Sequence, residues 1–212
     1  MKKIIAAVAL AAMGVSAAWA DGLSSLENFI RNAKSGRSEF TQVVTRPAKD
    51  GQVRTKTSSG TFEFARPDRF RFTYKKPFEQ TIVADGQTLW LHDVDLNQVT
   101  QRKQSKVLGS TPAALLASSP DLDTLRRDFD LQAQPEKDGL QWVQATPKNK
   151  DGQLRSMKAG FRGNDLAALE ILDGFGQRSL ITFTGMQING TVSADAFRFQ
   201  PPKGADVVQG PN

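Results

Sequence analysis

His92 is the only histidine of the chain, and Asp93 and Asp95 follow it, a grouping that raises metal binding or general-base chemistry. The surroundings argue against both. A nucleophilic hydrolase needs a base beside its hydroxyl or thiol, yet there is no Gly-x-Ser-x-Gly elbow and no cysteine anywhere. A lone histidine with two carboxylates after a strand reads as a polar edge and turn, so no metal site is expected. The remaining acids sit in turns and on polar strand faces, where solvation explains them better than glycosidase chemistry does. Neither a phosphate-cradling loop nor a dinucleotide fingerprint occurs. No catalytic residue and no cofactor is assigned.

The other chemically suggestive run is Arg69-Phe70-Arg71-Phe72-Thr73-Tyr74-Lys75-Lys76, which interleaves cations with aromatic rings. On a nucleic-acid binder such a run stacks bases. Its period of two equally places the rings on one face of a strand and the charges on the other. That apolar face either fills a core or lines a cavity for something greasy, and periodicity does not separate the two. A packed-core Phe72→Ala would cost about 3–5 kcal/mol, whereas a residue facing a hollow has less to lose; with Phe72 taken as cavity wall, Phe72→Ala is expected to cost under about 2 kcal/mol.

The N-terminus decides the compartment in which such a face would work. Lys2 and Lys3 precede an uncharged apolar stretch from Ile4 to Val15, followed by Ala18-Trp19-Ala20. The stretch is shorter than the ~20 residues that span a bilayer, and the small residues match a signal-peptide cleavage site. Residues 1–20 are therefore read as a signal peptide cut after Ala20, with export to the periplasm. Nucleic acid is excluded as a partner on that ground. The rest, 21–212, has the length of one domain. With 28 Lys+Arg against 22 Asp+Glu, and two Lys lost with the signal, about +4 remains, which favours acidic surfaces. Without cysteine, stability rests on core packing.

The elements that would position the aromatic face follow from pattern. Leu23, Leu26, Phe29, Ile30 and Ala33 recur at helical spacing, with Ser24 and Glu27 as a capping box and Gly36 as the stop. Beyond it the period becomes alternating, with Phe62 and Phe64, then Phe70, Phe72 and Tyr74. Further strands are expected at 80–84, 88–92, 97–101, 140–146, 157–162, 168–172, 179–186 and 196–199. Asp-Gly and Asn-Gly pairs at 50, 85, 138, 151, 173 and 189 punctuate them as hairpin turns, giving an antiparallel meander. Thr111-Pro112 opens a short helix to Ala117, and a second spans 122–127.

A resemblance covers nearly all of residues 21–212. Phe40-Thr41-Gln42, Gly60-Thr61-Phe62, Arg66-Pro67-Asp68-Arg69-Phe70, the run Ile82 to Trp90, Thr111-Pro112, Thr146-Pro147-Lys148 and the closing Phe197 to Gly204 stand in the order of the LolA family of periplasmic lipoprotein carriers. The resemblance implies a mainly β fold with helices, an incomplete, open antiparallel β-barrel with a helical lid over an apolar cavity. It implies a monomeric chaperone that takes acylated lipoproteins from the inner-membrane ABC transporter LolCDE and hands them to the outer-membrane acceptor LolB. It also places Arg66 against backbone carbonyls of the lid helices. A lipid-sensing envelope-stress module on a similar half-barrel is the alternative. Three acyl chains of roughly fifteen methylenes, at ~0.8 kcal/mol each, carry about 36 kcal/mol of apolar transfer energy. Phe40, Phe62, Phe64, Phe70, Phe72, Tyr74, Trp90, Leu115 and Leu116 are the expected lining.

Overall fold

The computed structural model describes residues 21–47, 52–107, 121–150 and 152–210. The signal-peptide segment 1–20 and the expected lid helix from Thr111 to Ala117, with Leu115 and Leu116, lie outside the described residues.

The chain begins with helix α1, Gly22–Asn32. Its buried positions, Gly22, Ser25, Leu26, Phe29 and Ile30, fall on one stripe. The cap differs from the expected capping box: the Asp21 carboxylate accepts from the backbone N–H of Ser24 at 2.8 Å. A carboxylate is the stronger acceptor and sits one turn earlier, so the helix starts there. It ends at Ala33, whose N–H bonds the Phe29 carbonyl, three residues before Gly36. Gly36 instead lies in strand β1, Ser35–Pro47.

From β1 the chain meanders through β2 (Val53–Ala65), β3 (Arg69–Lys76), β4 (Gln80–Asp85), β5 (Thr88–Asp93) and β6 (Gln98–Lys103). A short helix α2, Gln104–Val107, follows, and α3, Leu122–Asp128, leads into a second meander. That meander comprises β7 (Phe129–Lys137), β8 (Leu140–Pro147), β9 (Leu154–Arg162), β10 (Asp165–Asp173) and β11 (Arg178–Ile188). A four-residue 3-10 turn, Ala194–Phe197, stands where a strand is expected from pattern, because the Ser193 hydroxyl caps it and the chain there has no strand neighbour to pair with. The final strand β12, Asp206–Gln209, pairs parallel with β6. Alternation in the sequence predicts neither β7 nor β12. β7 carries Pro135 and mixed polarity, and β12 is only four residues long.

All strands form one open twelve-stranded sheet in the order β12-β6-β5-β4-β3-β2-β1-β11-β10-β9-β8-β7. Because β11 returns to pair with β1, the two meanders join at the centre and leave β6 and β7 on opposite sides. The connection from β6 to β7 must therefore travel from one side of the sheet to the other. Its described ends are α2 and α3, and Leu122 and Leu125 of α3 enter the same core as Leu26 and Ile30 of α1.

The sheet is curled rather than flat. Neighbouring strands are ~4.8 Å apart, so residues two strands apart in a flat sheet are separated by about 9.6 Å. Phe40 on β1, Gly60 on β2 and Tyr74 on β3 share a register position, yet the outer two rings meet at 5.0 Å. Gly60 makes this contact available by having no side chain, next to a bulge where Ser59 pairs Lys76 and Gly60 pairs Tyr74. A Cβ built on Gly60 would lie 1.9 Å from the Thr73 carbonyl oxygen, a backbone atom that has nowhere to move. Gly60→Ala is expected to lower the unfolding free energy by about 1–3 kcal/mol or more, as overpacking does. Gly152→Ala, where the added atom meets nothing within 4 Å, should stay within ~0.5 kcal/mol in the same urea titration.

Candidate functional site

The concave face of the curled sheet gathers most of the expected lining residues into one aromatic cluster. Register pairs Phe64 with Phe70 and Phe62 with Phe72 across β2 and β3, and pairs Phe40 with Phe183 across β1 and β11. The rings touch edge-on or offset: Phe62 to Phe72 at 4.5 Å, Phe40 to Phe72 at 5.3 Å, Phe62 to Phe183 at 5.4 Å and Phe62 to Phe64 at 5.8 Å. Phe70 joins through Phe72 at 6.3 Å. Phe40, Phe62, Phe64, Phe70 and Phe72 are all buried. The aromatic face is filled by its own rings.

Trp90 stands apart and is a correction to the expected lining. Alternation along β5 sends Leu89 toward the cluster and Trp90 to the opposite face. There its indole donates to the Asp85 carboxylate at 3.2 Å and its ring lies 5.5 Å from Phe199. The segment after β11 crosses this outer face, with Phe197 buried, the Arg69 guanidinium over its ring at 5.6 Å and Arg71 donating to the Ala196 carbonyl. His92 belongs here too, 5.8 Å from Phe199. Among the described residues no three His, Cys, Asp or Glu side chains converge as a metal site.

Two aromatic residues that the sequence offered only as helix or strand pattern complete the hollow. Phe29 of α1 lies 5.9 Å from Phe64 on β2 and 5.9 Å from Phe161 on β9. Arg66, at the turn after β2, reaches over both Phe29 and Phe64 at 5.8 Å and donates from Nε to the Ala33 carbonyl at 2.8 Å. That carbonyl ends α1, where helical partners run out. Burial pushes the Arg66 guanidinium down to about 10, so it remains charged at neutral pH.

Toward the ends of β1 and β3 the cluster gives way to a polar crosspiece. Tyr74 donates its hydroxyl to Gln42 Oε1 at 2.9 Å, and Gln42 Nε2 donates to the Ser179 hydroxyl at 2.6 Å. The chain of bonds spans β3, β1 and β11. Gln42 enters the sequence as the third residue of Phe40-Thr41-Gln42, with no role legible there. Beyond Tyr74 an open groove of about 680 Å³ is lined by Gln42, Val44, Lys56, Tyr74, Phe78 and Leu96, among others. It is the mouth of the hollow, and the crosspiece lies between it and the packed rings. Nothing in the arrangement sets a nucleophile against a base. What it supplies is a buried apolar face with one polar threshold.

The family described as "Outer membrane lipoprotein carrier protein LolA" matches residues 31–200. A protein of Albidiferax ferrireducens named outer-membrane lipoprotein carrier protein is 61% identical over 212 residues, covering 98% of this chain and 99% of its own. A protein of the same name from Leptothrix cholodnii is 56% identical, over 91% of this chain and 88% of its own. Among solved structures, a LolA superfamily protein from Nitrosomonas europaea aligns with a TM-score of 0.47 at 10% identity, over 84% of this chain and 98% of that one.

Two measurements check the site. The four rings around Phe72 revise the expectation for a cavity wall: Phe72→Ala should cost about 3–5 kcal/mol in urea unfolding, the figure for a packed core. A loss below about 2 kcal/mol would mean the rings part readily in solution. Tyr74 is the only tyrosine of the chain, so phenolate absorbance reports on it alone. Burial pushes its hydroxyl up to about 12 from an ordinary 10. The folded protein should titrate near 12 and the denatured chain near 10. A raised acid pKa favours the folded state while the phenol is neutral, so that contribution is complete below pH 10 and fades as pH climbs toward 12.

Proposed function

The chain belongs to the LolA family of outer membrane lipoprotein carrier proteins, and from that membership we propose that it holds the acyl chains of its cargo on the aromatic face of the open sheet. Its role is carriage of lipoproteins through the periplasm, without catalysis. The observation that carries the site assignment is the position of Phe40, Phe62, Phe64, Phe70 and Phe72 on the concave side, opening at Tyr74 onto the mouth groove. Acyl chains enter by the groove, pass the Tyr74–Gln42–Ser179 crosspiece and replace ring contacts with methylene contacts. Each buried methylene gains ~0.8 kcal/mol relative to water, which offsets the loss of ring packing. Leu115 and Leu116 supply lid surface in this reading.

Arg66 positions the cover over that face. Its Nε donates to the end of α1, and its five donors suit orphan helix carbonyls. Cargo arrives from the ABC transporter LolCDE and leaves to the acceptor LolB. Residues 1–20 are removed after Ala20, and residues 21–212 work as a single monomeric domain.

The experiment is to isolate the chain from periplasm and analyse what accompanies it. Acylated lipoproteins should co-purify; unacylated cysteine variants of the same proteins should not. Recovery of both forms alike would sink the acyl-chain reading. Arg66→Leu is expected to leave the folded circular dichroism spectrum in place and to change the rate of cargo transfer to the acceptor. Transfer at the original rate would remove Arg66 from the covering machinery.

A further inference from the structure

The two ends of the sheet differ in a way that carriage of cargo does not require. At the end where β1 starts, the described turns are Asp68 after Pro67, Gly86-Gln87, Asp138-Gly139, Gly163-Asn164 and Asn189-Gly190, all polar or glycine. At the mouth end three of the turns carry large apolar side chains in water, whereas the β8–β9 turn is polar, with Lys148, Asn149, Lys150 and Gln153 among its described residues. Phe78 in the β3–β4 connection is 58% exposed, Leu96 between β5 and β6 is 70% exposed, and Phe175 between β10 and β11 is 78% exposed. Val53, at the start of β2, and Val94 are exposed beside them. Single exposed apolar residues are ordinary on a protein surface; their concentration on one rim is not.

These side chains are held out rather than left loose. The Asp173 carboxylate accepts from the N–H groups of Phe175 and Gln177, each at 2.9 Å. The Asp93 carboxylate accepts from the N–H of Leu96 at 3.1 Å. Two of the acids on this rim are thereby committed to shaping the turns. Cations stand next to the apolar tips: Lys56 Nζ is 4.9 Å from the Phe78 ring, Lys75 and Lys76 immediately precede Pro77-Phe78, and Arg46 bonds Gln177 beside Phe175.

We propose that this rim docks the mouth of the carrier on an anionic phospholipid surface, with the turn tips entering the interface and the flanking cations meeting lipid phosphates. A protein partner would favour one contiguous apolar patch ringed by polar groups. Here the apolar residues come singly on separate turns across the sheet, which suits insertion at one depth into a fluid interface, with lysine stems reaching the headgroups. Docking in this manner would hold the mouth at the membrane surface, where transporter and acceptor hand cargo over. The inference rests on the rim itself and is testable without cargo, so it can fail while the carrier reading stands.

The test is flotation of the chain purified from periplasm with vesicles of phosphatidylethanolamine and phosphatidylglycerol, against vesicles of phosphatidylcholine alone. Binding should favour the anionic vesicles and weaken as salt screens the cations, over a Debye length of ~10 Å at 0.1 M. The pair Phe78→Ser and Phe175→Ser should reduce binding by about tenfold or more, since each removes an apolar side chain from the interface. Lys56→Gln with Lys75→Gln should abolish the preference for anionic lipid. Phe78 and Phe175 are in turns and Lys56 and Lys75 are exposed on β2 and β3, and an unchanged urea midpoint would show that the variants fold. Equal binding to both vesicle types, or serine variants that bind like the original chain, would overturn the proposal. Absence of vesicle binding together with slower transfer to the acceptor in the serine variants would also overturn it, in favour of a protein partner on the same rim.

Discussion

The architecture depends on one ring. Phe29 touches Phe64 on β2 and Phe161 on β9 at once, although β2 and β9 are four steps apart in the strand order. In a flat sheet those strands would be about 19 Å apart. A single phenyl group bridges them only because the sheet wraps around α1. The helix is thus the mandrel of the curl, and Arg66 fixes its end by bonding Ala33 while covering Phe29 and Phe64. The hollow, the covering elements and the mouth all take their places from that contact.

A carrier of greasy cargo must keep an apolar face out of water when empty and still give it up when loaded. Here the face satisfies itself. Offset and edge-on ring contacts are individually worth ~0.5–1.5 kcal/mol beyond their buried area, so the face is closed by many small contributions rather than by one strong bond. The Tyr74–Gln42–Ser179 crosspiece performs a related function at the threshold. Its groups are hydrogen-bonded to one another from Tyr74 through Gln42 to Ser179, which satisfies part of their polar demand beside the rings.

The opposite face of the sheet shows how the open end of the first meander is made rigid. After β11 the chain crosses β3 and β4, buries Phe197, sets Phe199 against Trp90 and His92, and ends as β12 beside β6. Val83 and Val99 are fully buried beneath or beside this strap. Strands that line the hollow on one side are therefore backed on the other.

Much of this was legible in residue order. Alternation placed Phe62, Phe64, Phe70, Phe72 and Tyr74 on one strand face, and the ordered motifs identified the family. The Asp-Gly pairs at 85, 138 and 173 mark hairpins, although the turns at 66–68, 77–79, 94–97 and 163–164 have no such pair and Asn189-Gly190 closes no hairpin. What alternation lacks is a reference for which face is inside. The expected lining grouped Trp90 with the hollow, although Leu89 and Leu91 take that side and Trp90 serves the outer strap. Alternation could not join Gln42, Tyr74 and Ser179, which are separated by as many as 137 positions. Nor could it see that the apolar turn residues share one rim, since that depends on the alternating direction of twelve strands. Local patterns report the period of a segment and its two faces. Only the closure of distant strands around α1 decides which face is enclosed, because burial belongs to the assembled sheet and to no segment alone.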